Sequence, residues 1–162
     1  MSERNLTGWM GKMKSLNDIC NRDVVCVKKI ESLSHAAQLM REHHVGELIV
    51  TERVDDKAVP IGILTDRDIV IEVLAKDIEP ISVSLEDVMS RFLETADESD
   101  TVDEVIDKMF RAGVRRIPIV NPKVGLVGIV RIEDLIQSMA NQLTNMARIL
   151  YKEQLQEKKF RD

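Results

Sequence analysis

Aromatic residues and cysteines are scarce in this chain of 162 residues, and each shortage excludes a class of protein. Tryptophan, tyrosine and phenylalanine together make up 3% of the sequence, so the stacking platform of a single-strand nucleic-acid binder is missing. A formal net charge of −5 also argues against binding to duplex nucleic acid, which requires a basic surface. Two cysteines, Cys20 and Cys26, cannot form a disulfide framework, and we therefore expect a cytoplasmic protein with reduced thiols.

Long apolar runs and catalytic motifs are missing as well. No run approaches the ~18 apolar residues of a membrane span, and the first residues lack the apolar segment of a signal peptide. The three histidines are not spaced as metal ligands, and neither a G-x-S-x-G motif nor a phosphate-loop lysine motif is found. We therefore expect no contact with membranes, no metal site and no enzyme activity.

An internal repeat is the main feature that the sequence does contain. HHVGELIVTE (43–52) aligns with AGVRRIPIVN (112–121), and IGILTDRDIV (61–70) aligns with VGIVRIEDLI (127–136). The offset changes from 69 residues in the first alignment to 66 in the second, and the difference falls in a predicted turn, where insertions cost little. Hydrophobic residues make up 44% of the chain, enough for a core. The sequence thus predicts two copies of one unit of roughly 60 residues.

Each copy shows the periodicities of a β-α-β-β-α unit. Residues 102–110 place apolar side chains at helical spacing, with Asp100 or Thr101 as the cap and Gly113 as the residue that ends the helix. Short β-branched runs predict the strands, and a second helix in the first copy is expected at 66–75. The predicted strands are 23–27, 47–51, 60–64, 91–95, 116–120 and 126–130.

The two copies are expected to form one α+β fold with pseudo-twofold symmetry. A single three-stranded sheet of this size cannot bury both of its faces, so we expect the copies to pack sheet to sheet. A short helical segment, SLEDVMS (84–90), has Asp87 in a capping-box position and connects the copies. The predicted units are an N-terminal segment (1–15), the first repeat (16–79), the second repeat (80–141) and a C-terminal helical extension (142–162).

These blocks resemble the CBS domain, a family named after cystathionine β-synthase, in the tandem pair known as a Bateman module. The resemblance is carried by VGELIV and GILTDRDIV in the first copy and by RRIPIV and GIVRIEDLI in the second, with EDVMS between them. The resemblance implies that a cleft between the units holds an adenosine-containing ligand, such as AMP, ADP, ATP, NAD or S-adenosylmethionine.

The ligand pattern implied by this resemblance is G-h-x-[T/S]-x-x-D, where h is hydrophobic. In the first copy it falls on Gly62, Thr65 and Asp68. The carboxylate would accept hydrogen bonds from both ribose hydroxyls, and the threonine would cap the helix and contact the sugar or phosphate. The second copy has Asp134 but carries Arg131 in place of threonine, which puts the same binding mode there in doubt. Arg131 is expected either to supply charge to a phosphate or to pair with a neighbouring carboxylate.

The remaining contacts would come from aliphatic side chains, backbone and arginines. Because aromatic residues are so few, we expect adenine to rest on valines and backbone edges. Arg115 and Arg116 are the candidates for phosphate contact, and a solvated strand end is the alternative interpretation of both. The residues expected against the adenine are Val24, Val25, Val27, Gly46, Glu47 and Leu48.

The C-terminal part of the chain predicts a long helix. Nothing from Ile132 to about Lys158 breaks a helix, and its apolar stripe needs a partner. That partner could be its own module, a second subunit or a target protein. The resemblance adds that CBS pairs commonly dimerise through their helices, and we expect a homodimer. The stripe consists of Leu135, Met139, Leu143, Met146 and Leu150.

A regulatory module is the function that these patterns favour. We expect it to sense an adenosine-containing ligand and to signal through a change in the orientation of its repeats or subunits, with a possible protein target in trans. The alternative is a structural dimerisation or adaptor module without a ligand, which the departure at Arg131 keeps open. An enzyme is disfavoured because the repeats occupy nearly the whole chain and leave no catalytic constellation.

Overall fold

The computed structural model describes residues 15–161, with side chains as far as residue 157. The predicted N-terminal segment therefore lies outside the described residues, apart from Ser15. The first copy contains α1 (Leu16–Ile19), β1 (Cys26–Lys28), α2 (Leu33–His43), β2 (Glu47–Val54), β3 (Lys57–Thr65) and α3 (Asp66–Glu72). Two 3-10 helices follow, Leu74–Lys76 and Pro80–Ser82. The second copy contains α4 (Leu85–Val88), β4 (Ala96–Asp97), α5 (Val102–Ala112), β5 (Arg116–Asn121), β6 (Gly125–Arg131) and α6 (Ile132–Arg161).

The β-α-β-β-α order of each copy is confirmed, and the caps explain where the helices begin and end. The backbone N–H of Glu104 donates to Oγ1 of Thr101 over 3.3 Å at the start of α5, so Thr101 rather than Asp100 is the cap. Gly113 ends the same helix with φ of 66°, a left-handed conformation that glycine adopts without a steric cost.

The first strand of each copy is shorter than predicted. The expected strands 23–27 and 91–95 are wrong in their bounds, because only Cys26–Lys28 pairs with β2 and only Ala96–Asp97 pairs with β5. The residues before each strand follow another path, which crosses to the opposite copy.

One six-stranded sheet, in the order β1-β2-β3-β6-β5-β4, runs through both copies. The halves join at a single parallel pair, Ala58 with Gly125. At Gly125 φ is 86°, and a Cβ there would lie 2.5 Å from the carbonyl oxygen of Ala58, so this close approach requires glycine. The ammonium of Lys57 donates to the carbonyl oxygen of Pro122 over 2.7 Å, a second link at the same edge.

The two sheet halves also face each other, as predicted. Each copy has its own apolar core, yet Ile49 and Ile129 are 1% exposed and belong to neither core. Side chains alternate along a strand, so Ile49 points away from the face that carries Leu48 and Val50 in the first core. We conclude that Ile49 and Ile129 are buried between the two halves. Sheet-to-sheet packing is therefore confirmed, and the edge connection through Gly125 is added to it.

The short helices exchange between the copies. Leu16 of α1 is buried in the core of the second copy, and Leu85 and Val88 of α4 are buried in the core of the first. Each of these helices begins with a capping box. In α4, Asp87 accepts hydrogen bonds from the backbone N–H and the hydroxyl of Ser84 over 2.9 and 2.7 Å. The units that pack together thus differ from the units that are continuous in sequence.

The C-terminal helix is one continuous element. At about 1.5 Å per residue, the 30 residues of α6 span about 45 Å. Leu135 is buried in the second core, whereas nearly all described side chains from Met139 onward are exposed. None of the helices in the described part of the chain is long and apolar enough to cross a membrane.

Candidate functional site

A cavity of about 710 Å³ lies between the two copies. The first copy contributes the start of β2 and the turn from β3 into α3, and the second contributes the start of β5 and the end of β6. Seven of the predicted site residues line it: Gly46, Glu47, Thr65, Asp68, Arg115, Arg116 and Arg131. The cavity therefore brings carboxylate and threonine from one copy together with arginines from the other.

Thr65 and Asp68 form a capping box at the start of α3. The backbone N–H of Asp68 donates to Oγ1 of Thr65 over 3.1 Å. In return, Oδ2 of Asp68 accepts from the backbone N–H of Thr65 over 2.9 Å and from its hydroxyl over 2.7 Å. Both bonds to the carboxylate use Oδ2, and Oδ1 accepts no hydrogen bond from the described residues. The carboxylate is thus fixed in orientation, with one oxygen available to a ligand.

Glu47 joins the two copies through an ion-pair network inside the cavity. Its Oε1 accepts from Nε of Arg131 over 2.7 Å, and its Oε2 pairs with Nη1 of Arg116. The Glu47 side chain is 10% exposed, against 24% for Arg116 and 27% for Arg131. Partial burial strengthens the attraction between these charges. The network leaves one net positive charge, to which the exposed Arg115 adds a second with no ion pair among the described residues.

Arg131 explains how the second copy departs from the ligand pattern. Its backbone N–H donates to Oδ2 of Asp134 over 3.2 Å, which preserves half of a capping box. Its guanidinium instead reaches Glu47 of the first copy. Of the two predicted roles for Arg131, the structure thus shows pairing with a carboxylate, but one from the other repeat. Asp134 does not line the cavity.

The aliphatic residues predicted to contact adenine, Val24, Val25, Val27 and Leu48, are not among the residues that line this cavity. Val27 and Leu48 are buried in the first core, at 1% and 0% exposure, and Val25 packs against the same core. Strand alternation turns Leu48 inward when its neighbour Glu47 faces the cavity. Val24 is half-buried outside the cavity lining.

A segment that the sequence analysis missed takes the place of these residues. Ser90, Phe92, Leu93 and Glu94 line the cavity because the chain after α4 crosses onto the first copy. There Ser90 exchanges backbone hydrogen bonds with Ile63 over 2.9 and 3.1 Å. The ring of Phe92 is 75% exposed, so an aromatic face is present at the cavity after all. Asn21, the residue 69 positions earlier, makes the corresponding bridge to Ile129 in the second copy.

The described residues do not form an evident metal site. No group of three or more histidine, cysteine, aspartate or glutamate side chains between residues 15 and 161 is arranged to hold a metal ion. The cavity combines carboxylates and Thr65 of the first copy with guanidinium groups of the second, and Arg67 and Glu94 also line it. Such a lining suits a ligand that has hydroxyl groups at one end and negative charge at the other.

Comparison with known proteins identifies the same two copies. The family model of the CBS domain matches residues 16–75 and 85–141. A protein of Methanopyrus kandleri is 37% identical over 123 residues, which cover 76% of this chain. The match spans 61% of that relative's own length, less than two thirds of it.

Two further proteins connect the fold with solved structures. Hypoxic response protein 1 of Mycobacterium tuberculosis is 35% identical over 127 residues, which cover 78% of this chain and 86% of that relative. A crystal structure of Hypoxic Response Protein I with two coordinated zinc ions has a TM-score of 0.63 and covers 76% of this chain and 98% of that one. The CBS domain pair of MJ0100, in complex with 5′-methylthioadenosine and S-adenosyl-L-methionine, has a TM-score of 0.65 at 26% identity. That comparison covers 80% of this chain and 98% of that one.

Proposed function

Because the chain belongs to the CBS domain family as a tandem pair, a regulatory and ligand-binding module, we propose that its cavity binds an adenosine-containing ligand. AMP, ADP, ATP and related adenosyl compounds are the candidates. CBS-pair proteins are generally regulatory rather than catalytic, and we assign this protein a sensor role rather than an enzymatic one. It would act on a protein target in trans in the cytoplasm.

The observation that carries this proposal is the position of Asp68 opposite arginines of the other copy. Oδ1 of Asp68 can accept hydrogen bonds from ribose hydroxyls, and charge-assisted hydrogen bonds of this kind are the stronger ones. The cavity volume of about 710 Å³ lies within the range of small-molecule sites. The adenosyl ligands of the MJ0100 domain pair add support. Phe92 offers the adenine an aromatic face, which is worth about 1–3 kcal/mol for a stacked base.

The ion-pair network indicates how binding could be sensed. A phosphate entering the cavity would compete with Glu47 for Arg116 and Arg131, whose pairing with Glu47 links the two copies at the cavity. Release of those pairs would change the relative orientation of the copies. A ligand shifts such an equilibrium only by its differential affinity for the two states. Since α6 begins directly after Arg131, the same change would reach the C-terminal helix, through which we propose that a homodimer signals.

The same network supports the alternative function, an adaptor without a ligand. Glu47 pairs with two arginines of the cleft from within the chain, so both guanidinium groups have a carboxylate partner in the absence of a nucleotide. In that case the two copies would serve as a fixed platform for association.

Thermal unfolding in the presence of AMP, ADP, ATP and S-adenosylmethionine distinguishes the two functions. A ligand that binds only the folded state raises Tm by mass action. We expect at least one of the four to do so, and Asp68→Ala to abolish the shift. Asp134→Ala is the matched control, because its carboxylate occupies the equivalent position outside the cavity and the response should persist. If none of the four shifts Tm at millimolar concentration, the sensor proposal fails. Recovery of the ligand unchanged would separate a sensor from an enzyme.

A further inference from the structure

The second core is covered less completely than the first, at positions that are equivalent in the two copies. In the first core, Leu33 is 1% exposed and Val73 is 0% exposed. The offsets of 69 and 66 residues place Val102 and Met139 at the same points of the second copy. Val102 is only half-buried, and Met139 is 46% exposed. Among the described residues, the second copy therefore lacks part of the cover that the first copy has.

The cover of the first core comes from residues 77–83. Ile78 and Val83 pack against that core, and the backbone N–H of Ile78 donates to the carbonyl oxygen of Val73 over 3.0 Å. This segment can return over the core because α3 ends just before Val73. In the second copy α6 continues as a helix past Met139 to its last described residue, so the chain that follows does not return in the same way.

The chain before α1 is the sequence counterpart of residues 77–83. The short helices α1 and α4 are related by the offset of 69 residues, and both begin with a capping box. The same offset aligns residues 8–14, which precede the described part of the chain, with 77–83. It places Trp9 at the position of Ile78. Tryptophan is highly buried on average in folded proteins, so Trp9 is suited to the role that Ile78 has in the first copy.

An open cavity lies beside the second core, where the described part of the chain begins. It has a volume of about 420 Å³ and lies between the start of α1 and the turn that leads into α5. Both Ser15 and the half-buried Val102 line it. A segment that precedes Ser15 therefore starts at the edge of the uncovered surface. Residues 8–14 can reach up to about 25 Å when extended, which exceeds the width of a cavity of this volume.

The charges around this cavity are complementary to those of residues 8–14. The turn at 97–101 contains three acidic residues, one of which pairs with Lys108, whereas 8–14 contains two lysines and no acidic residue. In the first copy the signs are reversed. The equivalent turn at 28–32 contains two lysines and one acidic residue, and 77–83 contains two acidic residues and no basic one. Opposite charges would thus meet in both copies if the two segments held equivalent places.

We propose that residues 8–14 cover the second core of their own chain, in the place that 77–83 hold over the first, with Trp9 packed against Val102 and Met139. Most of the predicted N-terminal segment would then belong, in its packing, to the second repeat. The proposal depends on the repeat and on the surface of the described residues, and it is independent of the ligand proposed for the cavity between the copies.

Fluorescence quenching tests the position of Trp9, which is the one tryptophan in the sequence. Acrylamide should quench it much less in the folded full chain than in the urea-unfolded chain. Met139→Lys should raise quenching towards the unfolded value, because it sets a charge against the ring. Leu155→Lys is the matched control, since Leu155 is 44% exposed on the same helix and lies about 24 Å farther along it. Quenching as strong as in the unfolded chain, or equally sensitive to both substitutions, would overturn the proposal.

A bimane label, whose fluorescence a nearby tryptophan quenches, tests the contact directly. In a chain with Cys20→Ala and Cys26→Ser, a label on Met139→Cys should be quenched, and Trp9→Phe should abolish the quenching. A label on Leu155→Cys should not be quenched. Labelled Trp9→Phe chains mixed with unlabelled chains that keep Trp9 should stay bright. Quenching in that mixture would show that the segment of a second copy covers the core, and no quenching at Met139→Cys would show that Trp9 lies elsewhere; either result contradicts the proposal.

Discussion

The two copies differ most where they should be most alike, at the turn from the second strand of the hairpin into the helix. In the first copy, Thr65 and Asp68 cap α3 and face the cavity. In the second, Arg131 stands in the place of Thr65 and its side chain crosses to Glu47. The residue that departs from the pattern in one copy thus lines the candidate site of the other. The comparison teaches that a tandem repeat can divide one cavity between two copies instead of building two equal ones.

Gly62 and Gly128 occupy equivalent positions in the two copies, and substituting them has the largest expected effect on stability. Each lies beside the segment that crosses from the other part of the chain. A Cβ on Gly128 would lie 2.3 Å from Sγ of Cys20 and 2.7 Å from the carbonyl oxygen of Asn21. We expect Gly128→Ala to lower the free energy of unfolding by about 3 kcal/mol, because a backbone segment must move. Urea unfolding would measure it.

The equivalent change in the first copy sharpens the same comparison. A Cβ on Gly62 would meet Sδ of Met89 at 2.7 Å and the carbonyl oxygen of Ser90 at 2.9 Å. Since the methionine side chain can move, we expect Gly62→Ala to cost less than Gly128→Ala. Gly113→Ala is the control, because nothing lies within 4 Å of its added Cβ and only left-handed strain of about 1 kcal/mol remains. Equal costs at all three positions would show that the crossing segments do not require glycine.

Arg131→Thr is the substitution that would make the two copies alike. It removes a guanidinium from the first cavity, so a phosphate-bearing ligand should bind there about 10-fold more weakly, as expected for one charge-assisted hydrogen bond. It also completes the ligand pattern in the second copy. Isothermal titration should therefore find one ligand per chain for the unmodified protein and two for the variant.

Glu47→Gln provides the matched control for this prediction. It removes the Glu47–Arg131 pair that Arg131→Thr also removes, together with the Glu47–Arg116 pair. Both guanidinium groups stay in the cavity, and the second copy is unchanged. Affinity for a phosphate-bearing ligand should rise, and the number of ligands per chain should stay at one. If both variants weaken binding equally, loss of the link between the repeats would explain the result better than loss of a phosphate contact.

Local patterns predicted most of the fold, and long-range exchange explains what they missed. The cap predicted at Asp100 or Thr101 and the helix end at Gly113 depend on residues close in sequence, and the structure shows Thr101 and Gly113 in these roles. The strands at 23–27 and 91–95 were misplaced because the preceding residues pair with the opposite copy, as Asn21 does with Ile129. Nothing local in the sequence records that exchange.

The candidate site also contains some residues that local patterns predict and others that depend on long-range contacts. The residues of the ligand pattern and the arginines were predicted from motif and charge, and the structure places them around one cavity. Leu48 lies in the first core because side chains alternate along β2, so it points away from the cavity that Glu47 faces. Val27 lies in the same core. Phe92 was missed because its approach to the cavity depends on the crossing segment, and the direction of Arg131 depends on how the two sheet halves face each other.

The smallest effect concerns the capping box that holds α4 in the first copy. Hydrogen bonds from the hydroxyl and backbone N–H of Ser84 hold the pKa of Asp87 below its ordinary value of 3.8. A carboxyl whose pKa is lower in the folded state stabilises the protein above the pKa of the unfolded chain. That contribution is lost as the pH falls through the folded pKa. Asp87→Asn should therefore lower Tm slightly at pH 7, and the difference from the unmodified protein should shrink below a pH of about 4.

Two outcomes decide whether the capping box has this role. Ser84→Ala removes the donor hydroxyl that Asp87 accepts from, so its Tm difference should shrink over the same pH range. Glu86→Gln, on the same turn but outside the box, should show no such convergence. A Tm difference for Asp87→Asn that is constant from pH 7 to below pH 4 would mean that α4 is held by its buried Leu85 and Val88 rather than by the charge at its start.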